Sequence, residues 1–183
     1  MTTGYIGTPS VSKSPSGAAR SLMQTGGHAF APPAFYEFCK REKRLCDSQS
    51  GAKIVDLTPS LERELKWVNL AVNRQIRQRD DREATGKDDD WRLPSSREGD
   101  CEDFVILKKK ELLERGWPAS ALLITVARQR RNNEGHTVLT VRTSEGDLIL
   151  DNLTGSVKVW SATPYRYFAR QSQRETGKWE RIS

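Results

Sequence analysis

Asp100 and Gly116 bracket the stretch of this chain whose local structure is specified at both ends. Asp100 is a helix N-cap residue, and Cys101 to Arg115 contains neither Gly nor Pro. Gly116 supplies the left-handed residue that closes a helix, and Pro118 prevents its continuation. The segment predicts a helix over Cys101–Arg115, and its apolar run from Phe104 to Leu107 requires a core to pack against. A lone cysteine then sits in the first turn, where unpaired N–H groups and the helix dipole favour a thiolate. Cys101 suits a small buried hydrophobe as readily, and Asp100, Glu102 and Asp103 suit plain helix capping.

What lies downstream shifts the balance. His136, one of two histidines, stands in Gly135-His136-Thr137-Val138-Leu139-Thr140-Val141, and Asp151 stands in Leu148-Ile149-Leu150-Asp151-Asn152-Leu153. Both stretches read as strands, joined by a turn in Ser144-Glu145-Gly146-Asp147. Cysteine at a helix start, then His and Asp on adjacent strands, can supply a nucleophile, a base and an orienting group. A two-residue turn at Glu145-Gly146 sets Asp151 opposite Thr140, about 13 Å along the strand from His136 at about 3.3 Å per residue. Direct opposition of His136 and Asp151 instead needs a loop centred between Thr143 and Ser144, or a bulge. The catalytic register is the one expected.

The order Gly-Asp-Cys-Glu-Asp (residues 99–103), Gly-His-Thr-Val-Leu (135–139) and Leu-Asp-Asn-Leu (150–153) resembles the bacterial transglutaminase-like cysteine proteinases. The resemblance spans about Ala34 to Ile182. It implies a papain-like core with Cys101, His136 and Asp151 as the triad, and periplasmic export with a signal removed before Met1. It also implies a protein substrate such as a surface adhesin, and a membrane-bound regulatory partner. Calcium at Asp100 and Glu102 follows from it too, with Asp103 a further candidate. An electrostatic misfit points the same way, since three carboxylates crowd a thiol that must ionise. The capping reading stays open beside it. Trp91 resembles the oxyanion-donating tryptophan of transglutaminases, and suits a core anchor equally well; the Cys101 N–H is the surer donor.

Elsewhere the sequence reads as follows. Residues 1–28 are Ser, Thr and Gly-rich and are expected to be a disordered leader, with the folded domain over 29–183. Cys39 and Cys46 close a short loop and read as a disulfide of an oxidising compartment, with two reduced thiols the alternative. Thr58 and Pro59 start a helix whose face is Leu61, Leu65, Val68, Val72 and Ile76; Asn69 and Asn73 read as surface or packing residues. Asp88-Asp89-Asp90 lies in a solvated loop, and Lys108-Lys109-Lys110 reads as solvated helix surface. Strands are expected at Ala121–Ala127, Val157–Trp160 and Lys178–Ile182, and Tyr165-Arg166-Tyr167-Phe168 as an apolar anchor. The fold class is α+β, with helices on an antiparallel sheet.

At 183 residues the length is one domain's worth, with a net charge of +6. No stretch nears the 18 or so apolar residues that span a membrane, and no basic run is interleaved with aromatics as a nucleic-acid face requires. The expected activity is that of a monomeric cysteine endopeptidase. A transglutaminase-type acyltransferase would carry the same triad, and a non-catalytic basic binding module is the third reading.

Overall fold

The computed structural model describes residues 22–78, 90–94 and 97–183. Strands β4 (Leu122–Gln129), β5 (Gly135–Thr143) and β6 (Gly146–Leu150) form the centre of the fold. Their β-branched and leucine-rich runs are apolar on both faces. Leu122, Ile124, Leu139, Val141, Leu148 and Leu150 enter the main core, while Ala127, Val138 and Ile149 enter a smaller cluster behind the sheet. With β1 (Thr25–Ala29), β7 (Lys158–Val159), β8 (Tyr165–Gln171) and β9 (Trp179–Ile182) they make a seven-stranded antiparallel sheet, ordered β1-β9-β8-β4-β5-β6-β7. A separate parallel pair joins β2 (Arg77–Gln78) to β3 (Glu98–Gly99).

The longer helices α1 (Pro33–Arg41), α3 (Pro59–Gln75) and α4 (Cys101–Glu114) contribute most of the helical side of the main core. The Thr58 Oγ1 accepts from the Leu61 N–H and caps α3, which buries Leu65, Val68 and Val72 against α4. This is the α+β architecture expected. Short α2 (Lys43–Cys46) follows α1, and Cys39 and Cys46 are joined by a disulfide with Cα atoms 5.4 Å apart.

Three expectations are corrected. The boundary at residue 29 is too late. Met23 is 1% exposed, its N–H donates to Asp147 Oδ2 (2.7 Å), and β1 pairs with β9. That strand is held by backbone hydrogen bonds at a sheet edge and needs no apolar pattern. The rest of the leader, Met1 to Ser21, lies outside the described residues. Lys108 and Lys109 are not solvated but wholly buried (0% exposed). The Lys109 Nζ donates to Asp47 O (2.7 Å) and Gln171 Oε1 (3.1 Å), while Lys108 Nζ stands 5.8 Å from the Phe104 ring centre. In the acidic loop, Asp88 and Asp89 lie outside the described residues, and Asp90 lies 3.6 Å from both Arg41 and Arg92.

The third correction concerns the hairpin. Thr143 pairs with Gly146, so the two-residue turn is Ser144-Glu145, and Leu139 pairs with Leu150 without a bulge. Continuing that register puts Asp151 across from Val138, two positions from His136 on the same face of the sheet. Two residues are about 7 Å, which an imidazole and a carboxylate can span diagonally. Neither a loop centred at Thr143-Ser144 nor a bulge is needed. Tight turn and close approach are compatible after all.

Candidate active site

The start of α4 is built by reciprocal capping. Asp100 Oδ1 accepts from the Asp103 N–H and Asp103 Oδ2 accepts from the Asp100 N–H, each at 3.3 Å. The second Asp103 oxygen accepts from the Arg92 N–H (3.3 Å) and the side chain is buried. Gly99 makes this packing feasible, since a Cβ there would come within 2.8 Å of the Asp103 Cβ. Asp103 is therefore a structural cap turned inward, which removes it from the metal-ligand set.

Cys101 is half-buried at the first helical position. The β5–β6 pairing ends at Leu139–Leu150, and from the stretch of β5 beyond it the Thr137 N–H faces the Cys101 sulfur. The Cys101 thiol donates to Glu102 Oε2 (3.2 Å), and the Thr137 hydroxyl donates to Glu102 Oε1 (3.0 Å). Burial pushes the thiol well above its ordinary range, and the negative charges of Glu102 and Asp100 push the same way against the Thr137 N–H. Among the described residues no hydrogen bond joins the sulfur to His136.

His136 and Asp151 are both buried and meet at 2.7 Å, through His136 Nε2 and Asp151 Oδ1. Asp151 Oδ2 accepts from the Tyr165 hydroxyl, and Oδ1 also accepts from the Leu153 N–H (3.0 Å). Burial alone would raise the Asp151 pKa. The hydrogen bond and charge of His136, with the Tyr165 and Leu153 donors, outweigh it and hold the carboxyl below its usual value. The Tyr165 ring also lies 5.0 Å from the imidazole, centre to centre.

Two asparagines of α3 fix the Asp151 loop from the helix side. Asn69 Oδ1 accepts from the Asp151 N–H (3.1 Å) and its Nδ2 donates to Thr154 O (3.1 Å). Asn73 Nδ2 donates to Asp151 O (2.9 Å) and Thr154 O (3.2 Å). Of the surface and packing roles expected, neither is a free surface residue: both hold the backbone of this loop. A signal was present: asparagines four apart, bordering the apolar stripe of α3, occupy one line of the helix surface. Tyr165 was missed too, because an aromatic run looks the same whether it fills a core or donates to a carboxylate.

Trp91 is a core residue. It is 1% exposed, packs edge-to-face on Phe35 (5.7 Å) and contacts Phe38 and Trp179. It anchors the segment leading to β3, and no oxyanion role is assigned to it. The donor set fits calcium in part. Asp100 and Glu102 offer the hard carboxylate oxygens that ion takes, yet among the described residues no three His, Cys, Asp or Glu side chains meet at one point.

Comparison with known proteins places this geometry. Residues 25–183 match the family profile described as bacterial transglutaminase-like cysteine proteinase BTLCP. A search of curated protein sequences returns no match. Among solved structures, calcium-bound LapG of Legionella pneumophila is similar at 26% identity with a TM-score of 0.56, covering 82% of this chain and 81% of its own. The EGTA-treated LapG of the same organism is 28% identical with a TM-score of 0.57, over 84% and 81% of the two chains. The core that holds Cys101, His136 and Asp151 thus falls inside the matched region, and the chain belongs to the bacterial transglutaminase-like cysteine proteinase family, as a transglutaminase-like cysteine peptidase.

Proposed function

We propose that this peptidase hydrolyses a protein of the cell envelope, such as a surface adhesin, with Cys101 as nucleophile, His136 as base and acid, and Asp151 as orienting group. The hydrogen bond between His136 Nε2 and Asp151 carries the reading. It fixes the ring so that Nδ1 is the nitrogen left to take the thiol proton, and it stabilises the imidazolium that results. The thiolate attacks the peptide carbonyl, and the oxyanion is met by the Cys101 N–H, which as a first-turn donor has no partner within the helix. The imidazolium gives its proton to the leaving amine, and water, activated by the imidazole, hydrolyses the thioester. The Cys39–Cys46 disulfide supports an oxidising, periplasmic setting. A monomeric enzyme under a membrane-bound regulator belongs to the same proposal.

The test sets wild-type protein and Cys101→Ser against an envelope protein extract containing a fluorescent amine. New protein N-termini that appear only with the wild type are expected, without incorporation of the amine. Amine attached to protein with no new N-termini would replace hydrolysis by acyl transfer.

Calcium is part of the same proposal. Asp100 and Glu102 would hold it, with remaining ligands from backbone or water oxygens. Its charge would offset the carboxylates that now oppose ionisation of the thiol. Calorimetric titration into chelator-stripped protein is expected to give a heat of binding that Asp100→Asn and Glu102→Gln each abolish. No heat in the wild type, with cleavage unaffected by EGTA, removes the metal and leaves the triad intact.

A further inference from the structure

Behind the Asp151–Tyr165 pair lies a cavity of about 340 Å³ that the chemistry above does not use. Ile149, Leu153 and the Tyr165 ring give it apolar walls, and Arg131 and Lys158 stand at its rim. Leu153 is 46% exposed, so its side chain is offered to solvent rather than to the core. Arg131 and Lys158 are both exposed, and among the described residues no ion pair within 4.0 Å includes either. The one acidic wall residue, Asp151, already faces His136 and the Tyr165 hydroxyl. The cavity therefore presents two uncompensated cations over an apolar floor.

Its place relative to the reaction says which part of a substrate meets it. The amine leaving group takes its proton from His136, so the substrate residues that follow the scissile bond must run over the imidazole. Tyr165 touches that imidazole on one side and lines the cavity on the other. We infer that this cavity is a leaving-group-side subsite that selects an acidic side chain, Glu or Asp, within the first few residues after the cleaved bond. The inference rests on the peptidase reading and adds to it the substrate class. A glutamate suits it well, laying methylenes on Leu153 and Tyr165 and its carboxylate between Arg131 and Lys158.

Two measurements test it with the full-length protein. First, a denatured protein library is digested by wild type and by the double variant Arg131→Glu/Lys158→Glu, and the new N-termini are sequenced. Acidic residues are expected to be enriched just after the wild-type cuts and replaced by Lys and Arg in the variant. Cysteine-dependent cuts with no acidic enrichment, or enrichment that survives charge reversal, overturn the subsite. Absence of any Cys101-dependent cut instead counts against the peptidase reading, and the second measurement then decides the subsite alone. Short peptides beginning Ala-Glu, Ala-Gln and Ala-Lys, labelled at their C-termini, are bound to Cys101→Ser and followed by fluorescence anisotropy. The Glu peptide is expected to bind about five- to tenfold more tightly than the Gln peptide, with the gap shrinking in salt. Equal binding of the three peptides overturns the proposal.

Discussion

His136→Ala lowers turnover of a protein substrate about 10⁴-fold or more, and adding Cys101→Ser to it costs almost nothing further. The expectation follows from the parts acting as a unit. Without the imidazole, the acceptor left to the Cys101 thiol is the Glu102 carboxylate, whose negative charge opposes the thiolate. Without the thiol, the His136–Asp151 pair has nothing to deprotonate. Asp151→Ala is expected to cost about 10²–10⁴-fold, because it frees the imidazole to turn and removes the charge facing it. Tyr165→Phe keeps His136 and Leu153 on the carboxylate and should cost only about tenfold. Single-turnover kinetics measure these losses, with circular dichroism confirming that each variant folds. Losses that multiply in the double variant, or a His136→Ala enzyme with wild-type turnover, would dismantle the triad. The carboxylate also sets an acid limit. The Asp151 pKa is lowered on folding, so its contribution to stability is complete above the unfolded value and is lost as pH falls through the folded one.

What could be read from sequence was what is decided locally. The N-cap at Asp100, the stop at Gly116 and the Thr58-Pro59 start of α3 depend on a few adjacent residues, and each is present. The order Cys-His-Asp was legible because it is written in three short motifs. The non-local contributions were hidden. Tyr165 reaches Asp151 only because β8 lies on the far side of β4 from β5. The asparagines of α3 meet the loop after β6 only once helix and sheet are packed. The hairpin turn was misplaced by one residue, which shifts the cross-strand pairing by two and leaves every side chain on its own face. Thr143 rather than Ser144 closes the turn, and its Oγ1 donates to Gly146 O. The lysines were misread because helical position alone does not reveal that Lys109 reaches Asp47 O and, on β8, Gln171 Oε1.

That burial leads to the second large effect, which is on stability: Lys108→Met should raise the melting temperature by roughly 5–10 °C near pH 7. Lys108 is 0% exposed and, among the described residues, its Nζ has no hydrogen-bond partner. Burial lowers its pKa to about 7, with only the charge of Asp151 acting in the other direction. Lys109 is held at about 7 by burial too, against the charge of Asp47, yet its Nζ donates to Asp47 O and Gln171 Oε1. The two neighbours should therefore respond oppositely. Methionine at 108 replaces an unpartnered ammonium by a thioether of similar length. Methionine at 109 removes the Lys109 donor from Asp47 O and one of the two donors from Gln171 Oε1, which keeps the Ile124 N–H, and should lower stability by about 1–3 kcal/mol. The pH dependence distinguishes the cause. An unfolded lysine titrates near 10.4, so between about pH 7 and 10 the unfolded protein binds more protons than the folded one, and stability rises with pH. Lys108→Met removes its share of that rise, so its advantage over wild type is largest at pH 7 and shrinks by pH 10. Denaturant unfolding at pH 7, 8.5 and 10 measures the difference. A Lys108→Met protein less stable than wild type at all three would show that this ammonium is partnered in the fold, as that of Lys109 is.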